Sequence, residues 1–142
     1  VAKTFTFTVT ATSAASAESR FALAVDATTW PSWTPIGRAA RGPLSPSGAE
    51  QVGTIRKFST AMVTSHERIT EIVDGRSITY RLVKGLPIAD HVATLAVTPN
   101  GDGCTITWTE SFSEKIRGTG AFFQKFLTAF ITKCANGLAA AP

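Results

Sequence analysis

Tyr80, His91 and Glu110 are the side chains whose types and spacing best suit chemistry in this sequence. Each falls in a segment where apolar and polar residues alternate, and alternation puts every second side chain of a strand on one face. If Trp108 points to the concave side of a sheet, Ile106, Glu110 and Phe112 do so too. Across the next turn Val97, Leu95, Ala93 and His91 join them, and across one more Ile78, Tyr80 and Leu82. On that register Tyr80, His91 and Glu110 occupy adjacent strands at lateral steps of roughly 5 Å, a polar row in an apolar wall. Such a row can orient a ligand's carbonyl or hydroxyl, or do acid–base work in which His91 shuttles a proton, Glu110 tunes it and Tyr80 donates. The three groups can equally satisfy one another within the sheet, or form a rim facing solvent.

Arg56 and Phe58 share a face of an earlier strand. Turned inward, Arg56 can pair with Glu110 or with an anionic ligand; turned outward, it is a solvated surface residue. The face of Glu71 depends on the turn at Asp74-Gly75 and stays open. Metal chemistry is not expected: His66 and His91 are the only histidines, His66-Glu67 lacks the second histidine of a zinc-protease helix, and Cys-x-x-Cys does not occur. No Gly-x-Ser-x-Gly elbow is present, and Gly118-Thr119-Gly120 reads as a flexible lead into a helix rather than a phosphate loop. Cys104 and Cys134 can meet if a terminal helix returns antiparallel over the last strand, but a bridge needs Cβ atoms within about 4.5 Å, and two separate buried thiols are the simpler expectation.

The elements that must position these groups can be read from the pattern. Phe5, Phe7 and Val9 alternate with threonines, as in a half-buried strand. Ser16 can cap a helix that carries Glu18 in its first turn and Phe21, Ala22 and Val25 at helical spacing up to Asp26. Two prolines in Trp30-Pro31-Ser32-Trp33-Thr34-Pro35 limit that segment to a short second helix or turn. Residues 37–53, rich in glycine, proline and serine, suggest an edge strand and a loop. Strands over Arg68–Val73, Ser77–Val83, Asp90–Thr98 and Cys104–Phe112 are separated by short turns, so neighbours are antiparallel. Over Gly118–Asn136 the period changes to a helical stripe of Phe122, Phe123, Phe126, Leu127, Phe130, Ile131 and Cys134, with Gly137 as a C-terminal stop. This helix and the Cys104–Phe112 strand each cover roughly 27–30 Å, so one can cover the other.

A chain of 142 residues with 44% hydrophobic content suits one domain with its own core, residues 1–142. Its net charge of +4 comes from scattered residues, not the basic stripe or tail of a nucleic-acid binder, so no nucleic acid is expected. No apolar run approaches the ~18 residues of a membrane span, and the alternating Thr4–Thr10 opening is unlike a signal peptide. Two cysteines do not make a disulfide scaffold, so a cytoplasmic location is expected. Whether Val1 is the native start stays open.

The order strand, helix, short helix, six-strand meander and long terminal helix, with Trp30-Pro31-Ser32-Trp33-Thr34-Pro35 after the first helix, resembles the polyketide cyclase/dehydratase branch of the START-like (SRPBCC) superfamily. Glu67-Arg68-Ile69-Thr70-Glu71 leading into Asp74-Gly75-Arg76, Tyr80-Arg81-Leu82-Val83, Gly85-Leu86-Pro87 and Gly103-Cys104-Thr105-Ile106-Thr107-Trp108 extend the resemblance over nearly the whole chain. It implies an α+β helix-grip fold of the Bet v 1/START type: a curved antiparallel sheet of about seven strands around a long C-terminal helix, with two short helices after strand 1. It also implies a cavity between sheet and helix for a small hydrophobic ligand such as a lipid, isoprenoid or polyketide. Binding, transport or sequestration is the expected role, without metal or nucleotide cofactor, in a monomer or homodimer. A cyclase or dehydratase, and a protein-interaction module with a vestigial cavity, are the alternatives. The expected ligand-binding set is Trp30, Trp33, Ile36, Arg56, Phe58, Tyr80, Leu82, His91, Leu95, Trp108, Glu110, Phe112, Phe122, Phe123, Phe126 and Phe130, with Tyr80, His91 and Glu110 also the catalytic candidates.

Overall fold

Alternation along the β-segments is realised as seven strands: β1 (Thr4–Ser13), β2 (Arg38–Gly42), β3 (Ile55–Ser59), β4 (Thr64–Val73), β5 (Ser77–Lys84), β6 (Ile88–Asn100) and β7 (Gly103–Glu114). The structure is a computed structural model describing residues 2–142, so the question of Val1 lies outside it. The strands form one antiparallel sheet in the order β1-β7-β6-β5-β4-β3-β2. Each step from β2 to β7 is a hairpin, and only β1 crosses to the far side to pair with β7. The register pairs Leu95 with Trp108 and Ala93 with Glu110, then Ile78 with Leu95 and Tyr80 with Ala93. One concave face therefore carries Ile106, Trp108, Glu110 and Phe112 beside Val97, Leu95, Ala93 and His91, as alternation predicts.

Two short helices come after β1. Ser16 caps α1 (Ala17–Ala24), its hydroxyl accepting from the Ser19 N–H at 3.2 Å. The expected run to Asp26 stops short because Asp26 serves instead as the cap of a 3-10 helix over Ala27–Ser32, accepting from Thr28 N–H at 3.0 Å. A 3-10 turn tolerates Pro31 where a longer α-helix would not.

The terminal helix α2 spans Gly120–Ala140, about 31 Å at 1.5 Å per residue. Gly137 does not stop it. A side chain there would collide with the Trp33 carbonyl oxygen, so this glycine lets helix and backbone touch. Gly120 meets the Phe5 ring in the same way at the other end. Opposite charges complete the two ends. Glu114 accepts from the N–H groups of Gly118 and Gly120 at 3.1 and 2.9 Å, while buried Arg20 of α1 donates to the carbonyls of Leu138 and Ala141 at 2.8 and 2.6 Å. A carboxylate at the start and a guanidinium at the end both oppose the helix dipole.

α2 lies against β1 and β7, at one side of the sheet. Its C-terminal half is sunk in the core through Ile131, Cys134, Ala135 and Leu138. Its N-terminal half is not: Phe123 and Phe130 are half-buried, and Phe122 and Phe126 are 66% and 41% exposed. Cys104 and Cys134 are both buried as free thiols, and burial raises the pKa of each. No helix is long and apolar enough to cross a membrane among the described residues.

Candidate functional site

Because α2 stands over β1 and β7, the strands curving away beneath its N-terminal half leave a cavity of about 480 Å³. That volume lies within the range of small-molecule sites. Phe58, Tyr80, Leu82 and Ile88 come from the sheet, Trp30 and Ile36 from the segment after α1, and Phe122, Phe123, Phe126, Leu127, Phe130 and Ile131 from the helix. The β3–β4 turn closes one edge. Thr60 accepts through its hydroxyl from the N–H groups of Met62 and Val63, and this tight turn leaves Met62 89% exposed at the rim.

At the inner end lies the polar row. The Trp108 indole N–H donates to the Tyr80 hydroxyl at 2.9 Å, and that hydroxyl faces Glu110 Oε2 at 3.4 Å. His91 Nε2 meets Glu110 Oε1 at 2.9 Å, and His91 Nδ1 accepts the main-chain N–H of Leu82 at 2.9 Å. Since Nδ1 is an acceptor, the neutral ring carries its proton on Nε2, and the donors of Tyr80 and His91 converge on the Glu110 carboxylate. Trp108, Tyr80, Glu110 and His91 are all buried. Burial, aided by the charges of Glu110 and Glu67, raises the Tyr80 pKa well above the ordinary phenol value, so the hydroxyl keeps its proton. Burial of His91 works against a positive charge, but the bond to Glu110 and the charges of Glu110 and Glu67 outweigh it and raise the pKa. The Leu82 bond opposes a second proton, because an imidazolium would set N–H against N–H there.

His91 sits just after a distortion of β6. The β6–β7 register shifts between Ala89 and Val92, and Asp90 adopts a φ of 51°, a left-handed conformation that aspartate tolerates better than most residues. The bulge lets both Ile88 and His91 reach the concave side.

Behind the cavity wall is a buried ionic group. Arg56 is inward, but its partners are Glu50 and Glu67 rather than Glu110: Nη1 lies 3.6 Å from Glu50 Oε1 and Nη2 lies 3.7 Å from Glu67 Oε1. Its guanidinium stands 4.7, 5.0 and 5.2 Å from the ring centroids of Trp30, Tyr80 and Phe58, and its side chain is fully buried. The loop before β3 brings in Glu50, which accepts from the Ala27 N–H at the start of the 3-10 helix. Sequence reading misses both carboxylates; alternation with Ile69 is the signal that could find Glu67, two residues earlier on the same strand. Glu67 lines the cavity, opposite Arg56 on β3 and Leu82 on β5. Burial raises its pKa to about 7, against the lowering effect of Arg56. Burial likewise raises that of Glu50.

Of the expected ligand-binding residues, Trp30, Ile36, Phe58, Tyr80, Leu82, His91, Glu110, Phe122, Phe123, Phe126 and Phe130 face the cavity. Five do not. Arg56 is walled off by the three rings, Trp108 packs edge-on against Trp30 at 5.6 Å, and Phe112 stacks on Phe5 at 5.5 Å. Leu95 is in the filled part of the concave face, and Trp33 packs against Trp30 at 4.8 Å while its backbone meets Gly137. Glu71 is exposed. No group of three His, Cys, Asp or Glu side chains suited to a metal occurs among the described residues.

A curved antiparallel sheet closed over a terminal helix, with two short helices after the first strand, defines the START-like helix-grip class. The chain belongs to the family described as polyketide cyclase / dehydrase and lipid transport, which its sequence matches over residues 4–141. None of the curated proteins compared with it matches. Similar solved structures include a START superfamily protein from Mycobacterium smegmatis, 16% identical with a TM-score of 0.80, covering 94% of each chain. Norcoclaurine synthase from Thalictrum flavum, in complex with dopamine and hydroxybenzaldehyde, is 16% identical with a TM-score of 0.74, over 97% of this chain and 86% of that one. The di-domain ARO/CYC StfQ from the steffimycin biosynthetic pathway is 16% identical with a TM-score of 0.79, over 96% of this chain and 50% of that one. At these identities the likeness is one of fold.

Proposed function

We propose that this protein binds a small, largely apolar molecule between its sheet and the N-terminal half of α2, and carries or sequesters it. The observation that carries this reading is the cavity of about 480 Å³, walled by aromatic and aliphatic side chains with a few polar groups at its inner end. Apolar walls supply binding energy and sparse polar groups supply orientation. Binding is favoured over acid–base turnover by the Tyr80-His91-Glu110 row, because both imidazole nitrogens are already engaged, by Leu82 and by Glu110.

The test is titration with N-phenyl-1-naphthylamine, a neutral dye that brightens in apolar surroundings, together with native mass spectrometry of freshly purified protein. Saturable binding at one site per chain, displaced by whatever small molecule co-purifies, is expected. Absence of saturable binding by the dye and of any co-purifying compound would sink the proposal.

A further inference from the structure

The charge of the cavity is one-sided. Glu67 and Glu110 line it, whereas no lysine or arginine does among the described residues. His91 gives its Nε2 proton to Glu110 and its Nδ1 lone pair to Leu82, so neither nitrogen is left for an anion. Arg56, the nearest guanidinium, is fully buried behind Trp30, Phe58 and Tyr80. Its spacing from Glu67 Oε1, 3.7 Å, is longer than a hydrogen bond, and that oxygen has no protein hydrogen-bond partner among the described residues. Glu67 is thus a carboxylate that no protein hydrogen bond satisfies among the described residues, on the wall of a largely apolar chamber.

A buried carboxylate is stabilised by a cation brought to hydrogen-bond distance and destabilised by another anion. The remaining walls do not oppose that sign, since the residues α2 brings to the cavity, Phe123 and Phe130 among them, carry no charge. Resting on the binding role above, we propose that the ligand is an apolar amine, its ammonium seated on Glu67 with Glu110 in the charged background. Hydrophobic acids of the same size are then disfavoured, although an apolar cavity alone would admit them.

The groups facing Glu67 act on its charge in both directions, and burial outweighs them. Arg56 on β3 and His91 on β6 lower the Glu67 pKa and Glu110 on β7 raises it, while Tyr80 on β5 is hydrogen-bonded into the row. Glu50 sits on the far side of Arg56, and the residues α2 presents to the cavity are uncharged. With a pKa of about 7, Glu67 goes from about one-tenth to about nine-tenths ionised between pH 6 and pH 8. An alkylamine stays protonated over that interval.

The test compares 4-phenylbutylamine, 4-phenylbutan-1-ol and 4-phenylbutanoate by isothermal titration calorimetry on the intact protein. At pH 8 the amine is expected to bind about tenfold or more tightly than the other two, and to lose about tenfold on going to pH 6. Glu67→Gln should remove both the amine's advantage over the alcohol and its pH dependence. The pH profile of the unaltered protein tests the proposal even where that variant folds poorly. Equal or tighter binding of the alcohol or the carboxylate at pH 8, or a pH-independent amine, overturns the assignment of ligand class while leaving the binding role standing. Failure of all three compounds, with the neutral dye also unbound, overturns both.

Discussion

The main-chain N–H of Leu82 donates to His91 Nδ1 at 2.9 Å, so that an imidazole ring accepts a bond of the kind a neighbouring strand's carbonyl usually takes. The β5–β6 pairing ends at Tyr80 and Ala93, two residues away from Leu82 and His91 on their strands. The side chain thereby extends the sheet edge at the place where the cavity needs the backbone to part.

Two consequences can be measured at His91. At alkaline pH, where the ring is neutral, imidazole nitrogen shifts should report the Nε2–H tautomer. His91→Ala should lower stability by about 3 kcal/mol in urea unfolding, because it leaves a Leu82 donor and a Glu110 acceptor without partners.

Glu67 sets the sign of a pH effect on stability. Its pKa is raised from 4.5 to about 7 by burial, so the folded protein keeps a proton that the unfolded chain releases. Folding therefore weakens as pH rises from about 4.5 to about 7, and this contribution levels off above that. The raised values of Glu50 and His91 act in the same direction. Glu67→Gln is expected to shrink the change in stability between pH 5 and pH 8 by about 2 kcal/mol, read from urea unfolding at each pH.

Gly137→Ala runs against helix propensity. Alanine is the better helix former by about 1 kcal/mol, yet its methyl group would strike the Trp33 carbonyl oxygen, which belongs to backbone and cannot swing aside. A net loss of about 2 kcal/mol in thermal or urea unfolding is expected.

Phe122 and Phe126 separate wall from core. Their rings stack on each other with centroids 6.4 Å apart, and both are exposed on the first turns of α2. Replacing both with alanine should change stability by no more than about 0.5 kcal/mol, while N-phenyl-1-naphthylamine affinity drops about fivefold or more. A large fall in melting temperature would instead make these rings part of the core.

The sheet is legible in the sequence because alternation is a strict code. Once Trp108 is turned inward, Tyr80, Leu95, His91 and Glu110 have no other face to occupy, and short turns leave little choice of neighbour. The bulge at Asp90 lies outside that code, since it depends on one residue's φ. The phenylalanine stripe is helical as its spacing predicts, but periodicity cannot tell rings that fill a core from rings that fringe an opening. Gly137 misleads for a related reason: a glycine needed for contact with Trp33 looks the same in sequence as one that ends a helix. Arg56 and its carboxylates are the least legible. Glu50 comes from an irregular loop where no period applies, so its pairing with Arg56 emerges only in three dimensions.

Because Leu138, Ala135 and Cys134 anchor one end of α2 while Phe122, Phe126 and Phe130 face the chamber at the other, the binding role proposed above assigns stability and choice of guest to different turns of a single element. A lineage can rewrite the early turns to suit a new compound and leave the late ones alone. On that reading, a change of ligand within one scaffold requires no new architecture, only the exchange of a few rings at the open end.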